Sequence, residues 1–201
     1  MSPGPGRTAA VVLAGGTSRR FGTDKLAHPV EGRSLLDHTL AGLPDDVDLV
    51  LVGPPRATDR AVTAVREDPP GGGPTAALVA GLRHALAGDA ELVLVLPGDA
   101  PGAGTAAGVL RDALLRGSDA AVLGVDVHGR EQPLQLALSR AAAQRLVELA
   151  GPDAGAGESA RRLVHRLDPP PAPCALPPAA TFDVDDRDQL ATWLRGGPPL
   201  A

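Results

Sequence analysis

Two adjacent glycines, Gly15 and Gly16, end a short apolar run, and Thr17, Ser18, Arg19, Arg20 and Lys25 follow within nine residues. Glycine lets the backbone approach a ligand closely and aim its N–H groups at it. Hydroxyls and cations immediately downstream make the segment suited to a polyphosphate. It is not a Walker A loop, because Gly22 is followed by Thr23 rather than by Lys-Ser/Thr, and it lacks the dinucleotide spacing. A glycine-rich turn carrying solvated arginines would use the same residues. Lys25 is the only lysine among 19 Lys and Arg. A compact ammonium differs from a planar guanidinium fork where one phosphate oxygen must be met, so its place in this segment favours the phosphate reading.

Three acidic segments offer complementary chemistry. Asp99 lies in Pro97-Gly98-Asp99-Ala100-Pro101, directly after another apolar run. A carboxylate held there suits a hard cation such as Mg²⁺, although an Asp bonded into its own turn reads the same way. Glu67-Asp68 opens the loop Pro69-Pro70-Gly71-Gly72-Gly73-Pro74, either a flexible acidic loop or a ligand-facing one. Asp183-Val184-Asp185 would place two carboxylates on one face if the segment is extended; helix capping is the plainer role. A Gly102-x-Gly104-x-x-Ala107 match follows Pro101 in a stretch of small residues, where a lone match carries little weight.

The elements that must position these groups follow from periodicity. Apolar runs at 9–14, 47–52, 92–96 and 120–125 are short, Val-rich and bounded by Gly or Pro, as expected of strands buried on both faces of a parallel sheet. Helix-like stretches lie at 34–43, 75–87, 105–115, 139–150 and 158–166; in the second, Leu78, Leu82 and Leu86 mark one face. A weaker strand is expected at 64–67, a stiff extended connection at 168–173, and a short strand at 181–184. A final helix capped by Asp185 or Asp186 should run to about Leu194. Alternating strands and helices predict a three-layer α/β/α, Rossmann-like domain with a mainly parallel sheet. Residues 1–201 read as one domain with flexible tails at 1–7 and 196–201.

Composition narrows the function classes. The 201 residues carry net charge -5, two Phe, one Trp and no Tyr, with pI ≈ 5.5 and mean hydropathy +0.02. An acidic chain without stacking aromatics argues against a nucleic-acid binder. No apolar run has the length of a membrane span, and the Pro/Gly-rich start is no signal peptide. Cys174 stands alone, so neither a disulfide nor a cysteine metal cluster is expected. The five histidines lack metal-ligand spacing, and Trp193 reads as a packing anchor. A soluble cytoplasmic protein is the expectation.

Taken together, these segments resemble the nucleotidyltransferases, and among them molybdenum cofactor guanylyltransferase, over most of the chain. Leu13-Ala14-Gly15-Gly16-Thr17-Ser18-Arg19-Arg20-Phe21-Gly22-Thr23-Asp24-Lys25 is similar to that family's signature. Glu67 to Pro74 resembles its guanine-side loop, Gly98-Asp99-Ala100-Pro101 its metal motif, Arg130-Glu131-Gln132-Pro133-Leu134 its Gln-Pro-Leu segment, and Phe182-Asp183-Val184-Asp185 its C-terminal motif. The chain departs from the family in lacking Asn, in Ala100, and in Gly102-Ala103-Gly104. The resemblance implies transfer of GMP from GTP to molybdopterin cofactor with release of pyrophosphate. It implies nucleotide contacts from Leu13, Ala14, Gly15, Gly16, Thr17, Ser18, Lys25, Asp68 and Asp99, with Asp68 reading guanine. Arg19 would meet the leaving phosphates, Lys25 the α-phosphate, and Asp99 with Asp185 a Mg²⁺ ion. Gln132 and Asp183 would face the acceptor. Transient contact with proteins that deliver or accept the cofactor is a further expectation. The alternatives are another base or acceptor (cytidylyl transfer to molybdopterin, or a sugar- or alcohol-phosphate) and a non-catalytic nucleotide-binding module.

Overall fold

A computed structural model describes residues 6–16 and 21–196. Thr17, Ser18, Arg19 and Arg20, part of the segment read as phosphate-binding, lie outside the described residues. In chain order the strands are β1 (Thr8–Leu13), β2 (Pro29–Val30), β3 (Arg33–Ser34), β4 (Val47–Val52), β5 (Thr63–Val65), β6 (Leu92–Pro97), β7 (Ala121–Val125), β8 (Glu131–Ser139) and β9 (Ala172–Ala175). The helices are α1 (Leu35–Ala41), α2 (Gly73–Ala87), α3 (Ala103–Arg116), α4 (Arg140–Ala150), α5 (Ala160–Val164) and α6 (Arg187–Leu194). Seven strands form one sheet in the order β5-β4-β1-β6-β8-β7-β9, while β2 and β3 form a small antiparallel ribbon. All neighbours pair in parallel except β8, which runs antiparallel to both β6 and β7.

Side-chain alternation along the strands divides the core in two. Ala9, Val11, Val93 and Val95 pack on one face against α2, α4 and α5; Ala10, Val12, Leu94 and Leu96 pack on the other against α1 and α3. This is the three-layer architecture expected. Gly42 and Gly104 abut each other where α1 and α3 meet, and Gly102 abuts Ala179. The Gly102/Gly104 pair thus serves close packing, not a dinucleotide.

Four points of the sequence reading need correction. The Glu131–Ser139 strand was not anticipated, because Pro133 and a register shift opposite Leu123 and Gly124 interrupt its pattern. The connection at 168–173 ends inside an edge strand, β9, with Pro173 in it, as prolines are tolerated at sheet edges. Residues 181–184 form no strand; a 3-10 turn over Pro178–Thr181 leads into an irregular segment. Arg7, assigned to a flexible tail, is instead anchored: its carbonyl accepts the Glu91 N–H at 2.8 Å and its Nε pairs with Asp48 at 2.9 Å.

Every aromatic side chain of the Phe, Trp and Tyr classes lies in a third, small cluster. Phe21, Val30, Leu35, Val184 and Leu190 form it, with Phe182 and Trp193 packed against them. The cluster joins the segment after β1 to the segment before α6, which are 160 residues apart in sequence at Lys25 and Asp185. The Asp186 side chain and Gln189 form a reciprocal capping box on α6. Phe21 is 3% exposed, so Phe21→Ala should cost on the order of 3 kcal/mol and lower the melting temperature by roughly 10 °C. A change below about 2 °C in a thermal melt would show that the cluster does not hold the segment.

Candidate active site

In an open α/β sheet, ligands bind beyond the carboxyl ends of strands where the winding direction reverses. Here the chain moves outward from β1 through β4 to β5, then returns to β6 on the other side of β1. A cleft of about 500 Å³ opens at that point, lined by Leu13, Gly15 and Gly16 after β1 and by Pro97 and Asp99 at β6. Gly73, Pro74 and Ala77 at the start of α2 and Leu134 of β8 complete its walls. The α2 N-cap, Gly72, makes no side-chain hydrogen bond, so the unpaired amides and positive dipole end of a 15-residue helix adjoin the cleft. A larger cleft of about 670 Å³ opens at the amino ends of the strands. Its cations are already engaged: Arg7 with Asp48 at 2.9 Å, and Arg60 with the Leu40 and Leu43 carbonyls at 2.8 Å.

Close backbone packing sets the strand ends. The Ala14 N–H donates to the Val52 carbonyl at 2.8 Å, and the Gly98 N–H donates to Leu13 at 2.9 Å. A Cβ on Gly53 would fall 2.6 Å from the Ala14 carbonyl oxygen, at φ +150, so only glycine passes there. Gly16, at φ +109, turns the chain out of β1.

Lys25 opens a 3-10 turn over Lys25–Ala27, capped by Asp24, which accepts the Leu26 N–H at 3.2 Å. Its Nζ lies 2.5 Å from Asp99 Oδ2 and 2.9 Å from Asp185 Oδ1. Only 13% of the Lys25 side chain is exposed, against 23% for Asp99 and 34% for Asp185. The Val184 N–H donates to the Asp99 carbonyl at 3.0 Å, so the two acidic segments are tied through backbone as well. Val184 itself is buried in the third cluster, while Asp183 and Asp185 flank it. The strand on which these two acids were expected to share a face does not form.

Electrostatics follow from this crowding. Burial works against the Lys25 charge, but Asp99 and Asp185 outweigh it and hold the ammonium above its ordinary range. Asp183 has the opposite balance: burial first, then repulsion from Asp99 and Asp185, pushes its carboxyl up to about 7, with Lys25 opposing.

The remaining expected residues are less centrally placed. Asp68 is exposed and is not among the cleft-lining residues, whereas its neighbour Glu67 is. One Glu67 oxygen accepts the Gly71 N–H at 3.1 Å; the other is buried, makes no hydrogen bond, and lies 3.8 Å from the Arg66 Nε as an ion pair. Gln132 lies on β8, two residues before Leu134, partly buried and off the cleft wall. Sequence reasoning named Glu67 only as the opening of the acidic loop, and missed Pro54 and Arg66 on the wall and Arg56 behind it. Applying the rule that ligand-facing residues follow each apolar run would have drawn attention to Pro54 and Arg56, which follow Val52.

The Asp183 shift predicts a stability profile for the metal-free protein. A carboxyl whose pKa is raised on folding contributes stability that is complete below its unfolded value, near 4, and lost as pH rises through about 7. Chemical denaturation should show wild type losing on the order of 2 kcal/mol between pH 5 and pH 8 at this site, and Asp183→Asn should flatten that slope. Identical slopes in both proteins would contradict the assignment.

The model of the MobA-like NTP transferase domain matches residues 10–170. A molybdenum cofactor guanylyltransferase of Acidiphilium cryptum is 39% identical over 105 residues, covering 49% of this chain and 54% of the relative. One from Sinorhizobium fredii is 38% identical over 125 residues, covering 58% and 57%. The chain thus spans little more than half the length of these curated relatives. The crystal structure of molybdopterin-guanine dinucleotide biosynthesis protein A from Archaeoglobus fulgidus superposes with a TM-score of 0.64 at 18% identity, covering 91% of this chain and 95% of that one; it shares the fold. With the family model spanning most of its length, the strand order reversing at β1 and the glycine pair leading to Lys25, the chain belongs to the MobA-like NTP transferase domain family.

Proposed function

We propose that this chain transfers a guanylyl group from GTP to the terminal phosphate of molybdopterin, forming the guanine dinucleotide cofactor and releasing pyrophosphate with Mg²⁺. The observation that carries the reading is the Lys25 ammonium held between Asp99 and Asp185 beside a cleft walled by Gly15, Gly16 and the start of α2. An oxygen of the acceptor phosphate attacks the α-phosphorus; a new P–O bond forms as the bond to the pyrophosphate bridge breaks. Such a transfer needs alignment and charge neutralisation more than a protein nucleophile.

The residues divide that work. Backbone N–H groups of Gly15, Gly16 and the first turn of α2 would cradle phosphates. Lys25 would turn from its carboxylates to the α-phosphate and offset the charge that develops there. Arg19, assigned by resemblance to the leaving phosphates, and Gln132 and Asp183, assigned to the acceptor, remain in those roles here. Among the described residues no group of three or more His, Cys, Asp or Glu is placed to hold a metal. Asp99 and Asp185 nonetheless converge on one cation, the Lys25 ammonium, and offer only oxygen donors. That set fits Mg²⁺, which takes one or two carboxylates and completes its shell with water and substrate oxygens. When bound there, Mg²⁺ would neutralise triphosphate charge. For the base, Glu67 lines the cleft and Asp68 does not, so Glu67 is better placed than Asp68 to accept the imino and amino hydrogens of guanine.

Pyrophosphate release should be measured with molybdopterin and each nucleoside triphosphate, with and without Mg²⁺. GTP should be the preferred donor. Preference for CTP, or for a sugar-phosphate acceptor, would move the reading to another transferase, and tight GTP binding without turnover on any acceptor would make this a binding module. Lys25→Ala should lower kcat roughly 10²- to 10⁴-fold while GTP affinity changes far less; Asp99→Ala should abolish the response to Mg²⁺. Glu67→Gln should shift the GTP-to-CTP ratio by roughly tenfold or more, as for loss of a hydrogen bond to a charged group, and Asp68→Asn should leave it nearly unchanged.

A further inference from the structure

We infer that Arg56 is a positioning residue for Lys25, acting through Asp24. Arg56 follows β4 in Gly53-Pro54-Pro55-Arg56 and its side chain is 10% exposed. Its Nη1 donates to the Ala14 carbonyl at 2.7 Å and to the Pro54 carbonyl at 3.3 Å. Its Nε and Nη2 both donate to Asp24, at 3.1 Å each. Ala14 is the residue at which β1 gives way to the glycine pair, and Asp24 immediately precedes Lys25. One guanidinium therefore pins the start and the end of the phosphate-facing segment to the same point.

The connection continues past Asp24. The same carboxylate that receives Arg56 also accepts the Leu26 N–H and so caps the turn that begins at Lys25. Fixing Asp24 fixes the backbone from which the Lys25 side chain reaches Asp99 and Asp185. Pairing Asp24 with Arg56 also withholds a neighbouring carboxylate from the ammonium. Arg56 is itself held firmly: Pro54 and Pro55 restrict the chain before it, and the Gly53 N–H donates to the Val65 carbonyl at 2.9 Å. Lysine would not reproduce this geometry, because three donors on one nitrogen cannot supply the bidentate contact to Asp24 together with both carbonyl bonds.

The direction of the activity effect rests on the nucleotidyl-transfer reading; the structural effect does not. Arg56→Lys should lower kcat about 10- to 100-fold, as for a reacting group displaced by about 1 Å, with KM for GTP moving less than about threefold. Asp24→Ala should do the same, and the double variant should cost no more than the worse single change, since both break one linkage. Arg60→Lys, which loosens carbonyl contacts at the end of α1, should lower the melting temperature and leave kcat alone. Independently of any reaction, amide hydrogen exchange over residues 13–26 should speed up in Arg56→Lys and not in Arg60→Lys. Should Arg56→Ala fail to fold, Arg56→Lys carries the test. Unchanged exchange over 13–26, or additive losses in kcat for Arg56→Lys and Asp24→Ala, would overturn the inference. A wild-type protein inactive with every nucleotide would remove the proposed reaction, and the exchange result would still decide the role of Arg56.

Discussion

The arrangement depends on one interaction: a lysine ammonium shared between two carboxylates that belong to the end of β6 and to the segment before α6. Three parts of the chain distant in sequence must arrive at one place for it to form. The sheet supplies two of them, because β1 and β6 are neighbours with their carboxyl ends aligned. The third has no strand to hold it. It is secured by the Val184 N–H on the Asp99 carbonyl, by burial of Val184, and by the capping box at Asp186. Partly buried ion pairs add little net stability once desolvation is counted, but removing one partner strands the other. The triad is better understood as a poised charge arrangement than as a source of stability.

Composition takes on a physical meaning in this light. The chain uses arginine almost exclusively, and several arginines do what a lysine could not. Arg140 donates to the carbonyls of Leu86, Gly88 and Ala90 beyond the end of α2. Arg60 serves the end of α1 in the same way, accepting no substitute with fewer donors, and Arg56 binds a carboxylate and two carbonyls together. Forked donors suit orphaned carbonyls at helix and strand ends. Aromatic side chains are equally concentrated, gathered where the C-terminal acids must be held against the segment following β1.

Much of this was legible from residue patterns. Continuous Val-rich runs marked the four central strands, because strands buried on both faces leave no polar alternation. Lys25 and Asp99 could be found because each follows such a run. What was not legible had specific causes. β8 contains Pro133 and Gln135 and an irregular register, which erase its period. Asp183 and Asp185 were paired by strand alternation, but the segment is no strand and is held instead by the Val184 N–H on the Asp99 carbonyl. Asp68 and Glu67 are adjacent, and nothing in their order reveals which one the loop turns toward the cleft. Arg56 follows an apolar run too, but an arginine after two prolines reads as surface until its four hydrogen bonds converge on Asp24, Ala14 and Pro54.

The solitary lysine has a practical corollary. Apart from the α-amino group, the chain carries a single aliphatic amine, and that amine is protonated and clasped by two acids. Beyond the α-amino group, which reacts more readily, amine-selective acylation or reductive methylation is thus directed to Lys25. The rate of that labelling becomes a direct reading of how often the clasp opens.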